Sequence, residues 1–253
     1  MSGRNPGREF IPPVAKIRLQ YAKRGRLRFS SHRDFQRAFE RALRRAEVPM
    51  AYSAGFRPHP KISYANAAPT GAASEAEYIE IGVMADLDPA ELRAKLDDAM
   101  PPGLDIVDAV KATDKDLVAR LEGSVWQIAL PGVKLDVLDE AVAKFLAASE
   151  ILVSRRTKSG MREFDARAAV LNLETSFGMP SNPDCAIITV VVANGTPSVR
   201  PDDVLEALKQ VADLVLPEPP QVTRLAQGPL ASDKRSVGDP LAPDRAGAIS
   251  QTH

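Results

Sequence analysis

Apolar and polar residues alternate through Lys16-Ile17-Arg18-Leu19-Gln20-Tyr21, which predicts a strand with one face turned to a core. Leu27-Arg28-Phe29 alternates again after Lys23-Arg24-Gly25, so a glycine turn and a second extended stretch are expected. The period then lengthens. Phe35, Ala38, Phe39, Ala42, Leu43 and Ala46 recur at helical spacing behind Ser31-His32-Arg33-Asp34, which reads as a capping box, and Pro49 closes the helix. Ser53 to Lys61 is a loop stiffened by Pro58 and Pro60. Residues 62–66 and 78–83 read as strands, with Pro69-Thr70-Gly71 between them. Asp88-Pro89 opens a helix running to about Met100, and residues 104–110 form a last strand.

The order β-α-β-β-α-β is the ferredoxin-like pattern, and it returns. Residues 125–130, 151–155, 186–192 and 222–225 read as strands, and residues 135–148 and 201–211 as helices. The expected fold class is α+β, with two tandem ferredoxin-like units and antiparallel sheets. A flexible leader spans 1–13, the units span 14–112 and 113–227, and a disordered tail rich in Pro, Gly, Ala, Ser and Asp spans 228–253. The units differ in where extra chain enters. The first carries it between helix and second strand, the second between its middle strands at 156–184, where residues 164–171 form an element of undecided type.

Composition adds a gradient. Lys plus Arg and Asp plus Glu are 33 each, but residues 1–61 hold 15 of the cations and four of the acids. The same region holds most of the early aromatics, eight of the chain's 13 lying before residue 65. Cations neutralise phosphates, and exposed aromatic or guanidinium planes stack on unpaired bases, so this interleaving suits RNA or a single strand. The expected contacts are Arg33, Arg37, Arg41, Arg44 and Arg45 off the apolar stripe, with Tyr52, Gly55, Phe56, Arg57, His59 and Lys61 in the loop. Arg155, Arg156 and Lys158, leaving a strand into a basic turn at Gly160, extend the set.

Candidate chemistry is sparse. His32, at a helix start that disfavours its protonation, is the single catalytic candidate, and no catalytic residue is otherwise expected. Cys185 cannot form an intrachain disulfide or a zinc site and is expected as a buried small apolar residue. No metal site and no cofactor are expected. No apolar run is long enough for a membrane span, and Met1 to Pro13 lacks a signal-peptide core, so the expected location is cytoplasmic.

Phe29-Ser30-Ser31-His32-Arg33-Asp34, the helix through Arg45, the run from Ser53 to Ile62 and Pro69-Thr70-Gly71 resemble the radical SAM-linked protein family, over about residues 14–226. The turn from Arg155 to Gly160 with Asp165 looks like that family's second block. The resemblance implies a bacterial domain of unknown function that partners a radical SAM protein. Together with the basic face, it implies a noncatalytic accessory protein that binds RNA and presents it to that partner. A more distant likeness, in architecture and the early histidine, is to the CRISPR repeat-RNA endonucleases, but their glycine-rich carboxy-terminal loop has no counterpart before the tail. That likeness implies a metal-independent ribonuclease using His32. A protein–protein adaptor without RNA affinity is the third expectation.

Overall fold

The computed structural model describes residues 11–54, 56–114, 117–157, 160–179 and 182–250. The chain divides into two compact units, one formed by Met1–Val118 with Leu241–His253 and the other by Ala119–Pro240. Both mix helices with antiparallel strands, and six α-helices are present among the described residues.

The first unit runs β1 (Ala15–Lys23), a 3-10 turn (Gly25–Phe29), α1 (His32–Arg45), β2 (Ile62–Ala65), β3 (Ala73–Val83), α2 (Pro89–Ala99) and β4 (Ile106–Lys111). Its strands are ordered β4-β1-β3-β2, all antiparallel. Ile17 lies opposite Ile81 and Leu19 opposite Ile79, so one face of β1 and β3 is wholly apolar. Phe35, Phe39, Ala42 and Leu43 of α1 and Leu92 and Leu96 of α2 close over that face. Burying a side chain such as Phe39 contributes about 1.5–3 kcal/mol. The Ser31 cap forms as expected, its hydroxyl oxygen accepting from the Asp34 N–H at 3.2 Å. The stretch Leu27-Arg28-Phe29 is not extended. It lies in the 3-10 turn, where the Arg28 carbonyl accepts from Gly71 N–H at 2.8 Å and so tethers the Pro69-Thr70-Gly71 turn.

The second unit runs β5 (Gly123–Pro131), α3 (Leu135–Ala147), β6 (Leu152–Thr157), β7 (Gly160–Asp165), α4 (Ala166–Ala169), β8 (Val170–Met179), β9 (Asn182–Ala193), α5 (Pro201–Ala212) and β10 (Gln221–Gly228). Its main strands are ordered β10-β5-β9-β8. Here the sequence expectation needs correcting. The strand expected at 151–155 is β6, and it pairs with β7 in a separate hairpin instead of joining β9. The strand beside β9 on the side away from β5 is β8, in the stretch read as a long connection. The inserted chain therefore sits between first helix and second strand in both units.

The tail is the second correction. Leu230 and Val237 form an antiparallel bridge, Leu241 is fully buried, and α6 (Ala242–Ser250) belongs to the first unit. The residues from 251 onward lie outside the described ones. What holds α6 is charge. Arg18, on the face of β1 away from α1 and α2, is fully buried and grips both carboxylate oxygens of buried Asp244 at 2.8 Å. Thr113 adds its N–H and hydroxyl to the same carboxylate, each at 2.9 Å. Burial opposes the Arg18 charge, but its bonds to Asp244, Glu80 and Asp114 outweigh that and hold its pKa above the ordinary value.

Candidate nucleic-acid interface

The expected cations fall into three groups. Arg33, Arg37, Arg41, Arg44 and Arg45 are all exposed on α1. At about 100° per residue they occupy roughly a third of the helix circumference, opposite Phe35, Phe39 and Ala42. Arg45 donates to the Ala99 carbonyl at 3.1 Å and so also staples α1 to α2. Arg33, Arg37, Arg41 and Arg44 have no carboxylate within ion-pair distance among the described residues. Asp34, among them, has its carboxyl lowered by the Ser31 hydroxyl at 2.7 Å and then by Arg37 and Arg33.

The remaining early cations are used differently. Lys16 pairs with Glu80 at 2.5 Å, Arg18 with Glu80 and Asp244, and Arg24 with Asp105 at 2.7 Å and with Glu75. Buried Lys23 donates to the Ala68 and Pro69 carbonyls. Lys16, Arg18, Lys23 and Arg24 are thus satisfied by later acids and carbonyls, whereas Arg33, Arg37, Arg41 and Arg44 are in no ion pair among the described residues. The basic first quarter of the sequence narrows to one helix face. Immediately ahead of it stands Phe29, 60% exposed, with the Arg28 guanidinium 4.8 Å from its ring centroid. Sequence reasoning missed this platform, because a residue on a strand can face either way and Phe29 is not on a strand.

The second group forms a finger. Tyr52 bridges Pro60, Ser53 N–H donates to the His59 carbonyl at 2.8 Å, and His59 N–H donates to the Ser53 hydroxyl at 3.0 Å. Ala51, Lys61 and Gly82 are linked by main-chain bonds at the root. A Cβ on Gly82 would lie 3.2 Å from that of Pro13 and 3.3 Å from that of Lys61, a close approach that glycine accommodates with no shift of either neighbour. Phe56 is 90% exposed, Tyr52, Arg57 and His59 are exposed, and Lys61 is half-buried. Gly55 lies outside the described residues. Met50 and Ala15 both pair with Val83, placing the finger's root where β1 begins; Lys23 pairs with Ser74, placing the Phe29 turn at the far end. About 25 Å of strand separates them.

The third group is on the β6–β7 hairpin. Arg155 donates to Asp203 at 2.5 Å and to the Ser198 carbonyl at 3.1 Å, with its guanidinium 5.0 Å from the Phe164 ring centroid. Burial pushes the Asp203 carboxyl up, against the Arg200 N–H and the Arg155 charge. Arg155 is therefore held in packing, while Arg156 is exposed and Lys158 lies outside the described residues.

His32, the first residue of α1, places one ring nitrogen 3.0 Å from the Gln36 side-chain nitrogen and its ring edge against Tyr64, centroids 4.8 Å apart. Burial, with Glu40, pushes the Tyr64 hydroxyl up to about 12. His59 is on the finger, so the two histidines are not brought together. Cys185 is buried, and burial raises its thiol. No group of three or more His, Cys, Asp or Glu among the described residues could hold a metal, and no helix among them is long and apolar enough to cross a membrane.

The molecule is a mixed α+β protein with a cationic helix face that makes no ion pair among the described residues. It belongs to the family described as an uncharacterized protein conserved in bacteria (DUF2344), which matches residues 16–201. No curated protein matches the chain. Among solved structures it is similar to an unknown protein from Galdieria sulphuraria, at 12% identity over 83% of this chain and 96% of that one, with a TM-score of 0.25. It is also similar to the encapsulated DyP-type peroxidase from Mycobacterium smegmatis, at 13% identity over 88% of this chain and 94% of that one, with a TM-score of 0.20.

Proposed function

We propose that this chain is a cytoplasmic, noncatalytic accessory protein that binds RNA and presents it to a radical SAM partner. The observation that carries the RNA reading is the arc of exposed arginines on α1, in no ion pair among the described residues, in a unit that pairs Lys16, Arg18 and Arg24 of β1 and its exit with carboxylates. Arg33, Arg37, Arg41 and Arg44 neutralise phosphates; Phe29, beneath Arg28, stacks on an unpaired base; His32 orients the strand at the head of the helix. Because α6 covers the Arg18 side of the sheet, the helix layer is the face left to a polyanion. The partner is inferred from the resemblance carried by residues 29–34, 53–62 and 69–71.

The architecture we infer is two ferredoxin-like units, the second with the β6–β7 hairpin inserted. The orders β4-β1-β3-β2 and β10-β5-β9-β8 support it, each being the antiparallel order of a β-α-β-β-α-β unit. The test is binding of labelled stem-loop RNA with a single-stranded arm, titrated at several salt concentrations. Affinity is expected to fall steeply with salt and to collapse in an Arg37→Glu, Arg41→Glu variant. Binding that stays flat with salt, or is indifferent to that variant, would remove the reading.

A further inference from the structure

The finger does something the arginine arc does not. Ile11 is 61% exposed, Tyr52 50%, Phe56 90% and Met84 36%, and all but Phe56 line one cleft of about 300 Å³ with Met50 and Pro58. Apolar side chains scattered singly over a surface need no explanation, but a contiguous group around a cleft marks an interaction site. The loop that forms the cleft wall is held to the sheet by the Ala51, Lys61 and Gly82 main-chain bonds and to itself by the Ser53–His59 pair. A wall fixed in that way presents its apolar side chains at little ordering cost on binding.

We propose that this cleft and the Phe56 tip are a docking site for an acidic segment of a protein partner carrying a bulky apolar side chain. Two observations set the occupant. Residues 48–74 contain no Asp or Glu, and exposed Arg57 and His59 flank the lining residue Pro58, so the rim attracts carboxylates. Asp86, close in sequence to Met84, is already paired with Lys111 at 2.6 Å. The cleft wall is largely aliphatic, built from Ile11, Met50, Pro58 and Met84, which offers an apolar side chain a pocket but offers a base no flat stacking partner beyond Tyr52. The site stands at the opposite end of the sheet from Phe29, and no arginine of α1 lines it. It deepens the reading above by locating the partner surface, and rests on that reading only in requiring a protein partner.

The experiment pans a phage-displayed library of random short peptides against the full chain, then measures selected peptides and a single-stranded RNA on the same variants. Peptides that combine Asp or Glu with Phe, Trp or Leu are expected, weakened about tenfold by Phe56→Ser and by Met84→Lys and unchanged by Arg37→Glu. Phe56 is almost wholly exposed, so its replacement leaves the fold in place and a lost signal is read as lost contact. No enriched peptide, peptides without acids, or peptides indifferent to both finger variants would overturn the proposal. So would finger variants that weaken RNA as much as peptide, which would assign the cleft to RNA. Absence of RNA binding in every variant, with peptide binding intact, would sink the RNA reading and leave the docking site standing.

Discussion

Arg18 and Asp244, 226 positions apart, meet in a bidentate ion pair with neither side chain exposed to solvent. A buried pair contributes little relative to an apolar replacement, but removing Asp244 leaves the buried Arg18 charge under-compensated, with only Glu80 and Asp114 to face it. Asp244→Ala is therefore expected to destabilise the first unit by about 3–5 kcal/mol, whereas Arg18→Met with Asp244→Leu recovers most of the loss. Urea unfolding of the two variants checks both statements.

Gly247 sits where α6 meets β4's exit. A Cβ there would lie 2.7 Å from Thr113 Cγ2, and Thr113 is the residue that clasps Asp244. Gly247→Ala is expected to cost about 1–3 kcal/mol through that overlap. Faster amide exchange in α6, with the second unit unchanged, is the signature to look for.

Asp203 and Arg155 form the corresponding test in the second unit. Asp203→Ala removes the Arg155 pair and the acceptor for the Arg200 N–H, and a loss of about 3 kcal/mol is expected. RNA affinity, read on protein kept below its unfolding transition, should not change. A drop matching that of Arg37→Glu would return Arg155 to the binding surface.

At the head of α1, the Ser31 hydroxyl holds the Asp34 carboxyl below its ordinary value, with help from Arg37 and Arg33. The folded state thus binds the Asp34 proton less tightly than the unfolded chain does. Whatever this group contributes to stability is present above the unfolded value and is lost as pH falls through the folded one. Ser31→Ala is expected to move the Asp34 titration upward, as followed by carboxyl NMR shifts.

Salt dependence distinguishes the arc from a few scattered contacts. Each neutralised single-strand phosphate contributes about 0.7 to the slope of log affinity against log salt. Replacing both Arg37 and Arg41 by Gln should lower the slope by about 1 to 1.5. Arg24→Gln, at a cation already paired with Glu75 and Asp105, should leave it as it was.

Local periodicity carried the sequence reading where an element's pattern is complete within itself. The stripe from Phe35 to Leu43 and the cap at Ser31 are of that kind, and both stand in α1. Leu27 to Phe29 is too short for alternation to separate a strand from a 3-10 turn. Strand β8 was hidden because register shifts at Val170/Asn172 and Phe177/Met179 break its alternation. The pattern of β6 marks it as a strand but not its neighbour, since pairing with β7 is settled by residues outside it. The same limit applies to the site. Arg18 and Arg37 look alike in sequence, and only contact with Glu80 and Asp244 separates a structural cation from a free one. Helix α6 has few apolar residues, and the carboxylate that anchors it has no local signal.

The second unit's residues 119–240 lie in the sequence between β4 and α6, so the first unit is discontinuous. During synthesis every strand of the second unit leaves the ribosome before Asp244 does. Until then Arg18 waits without its closest counter-ion on a sheet face that α6 has yet to cover. The unit begun first is completed last, and a stalled or truncated chain would carry a finished second unit beside an unfinished first one.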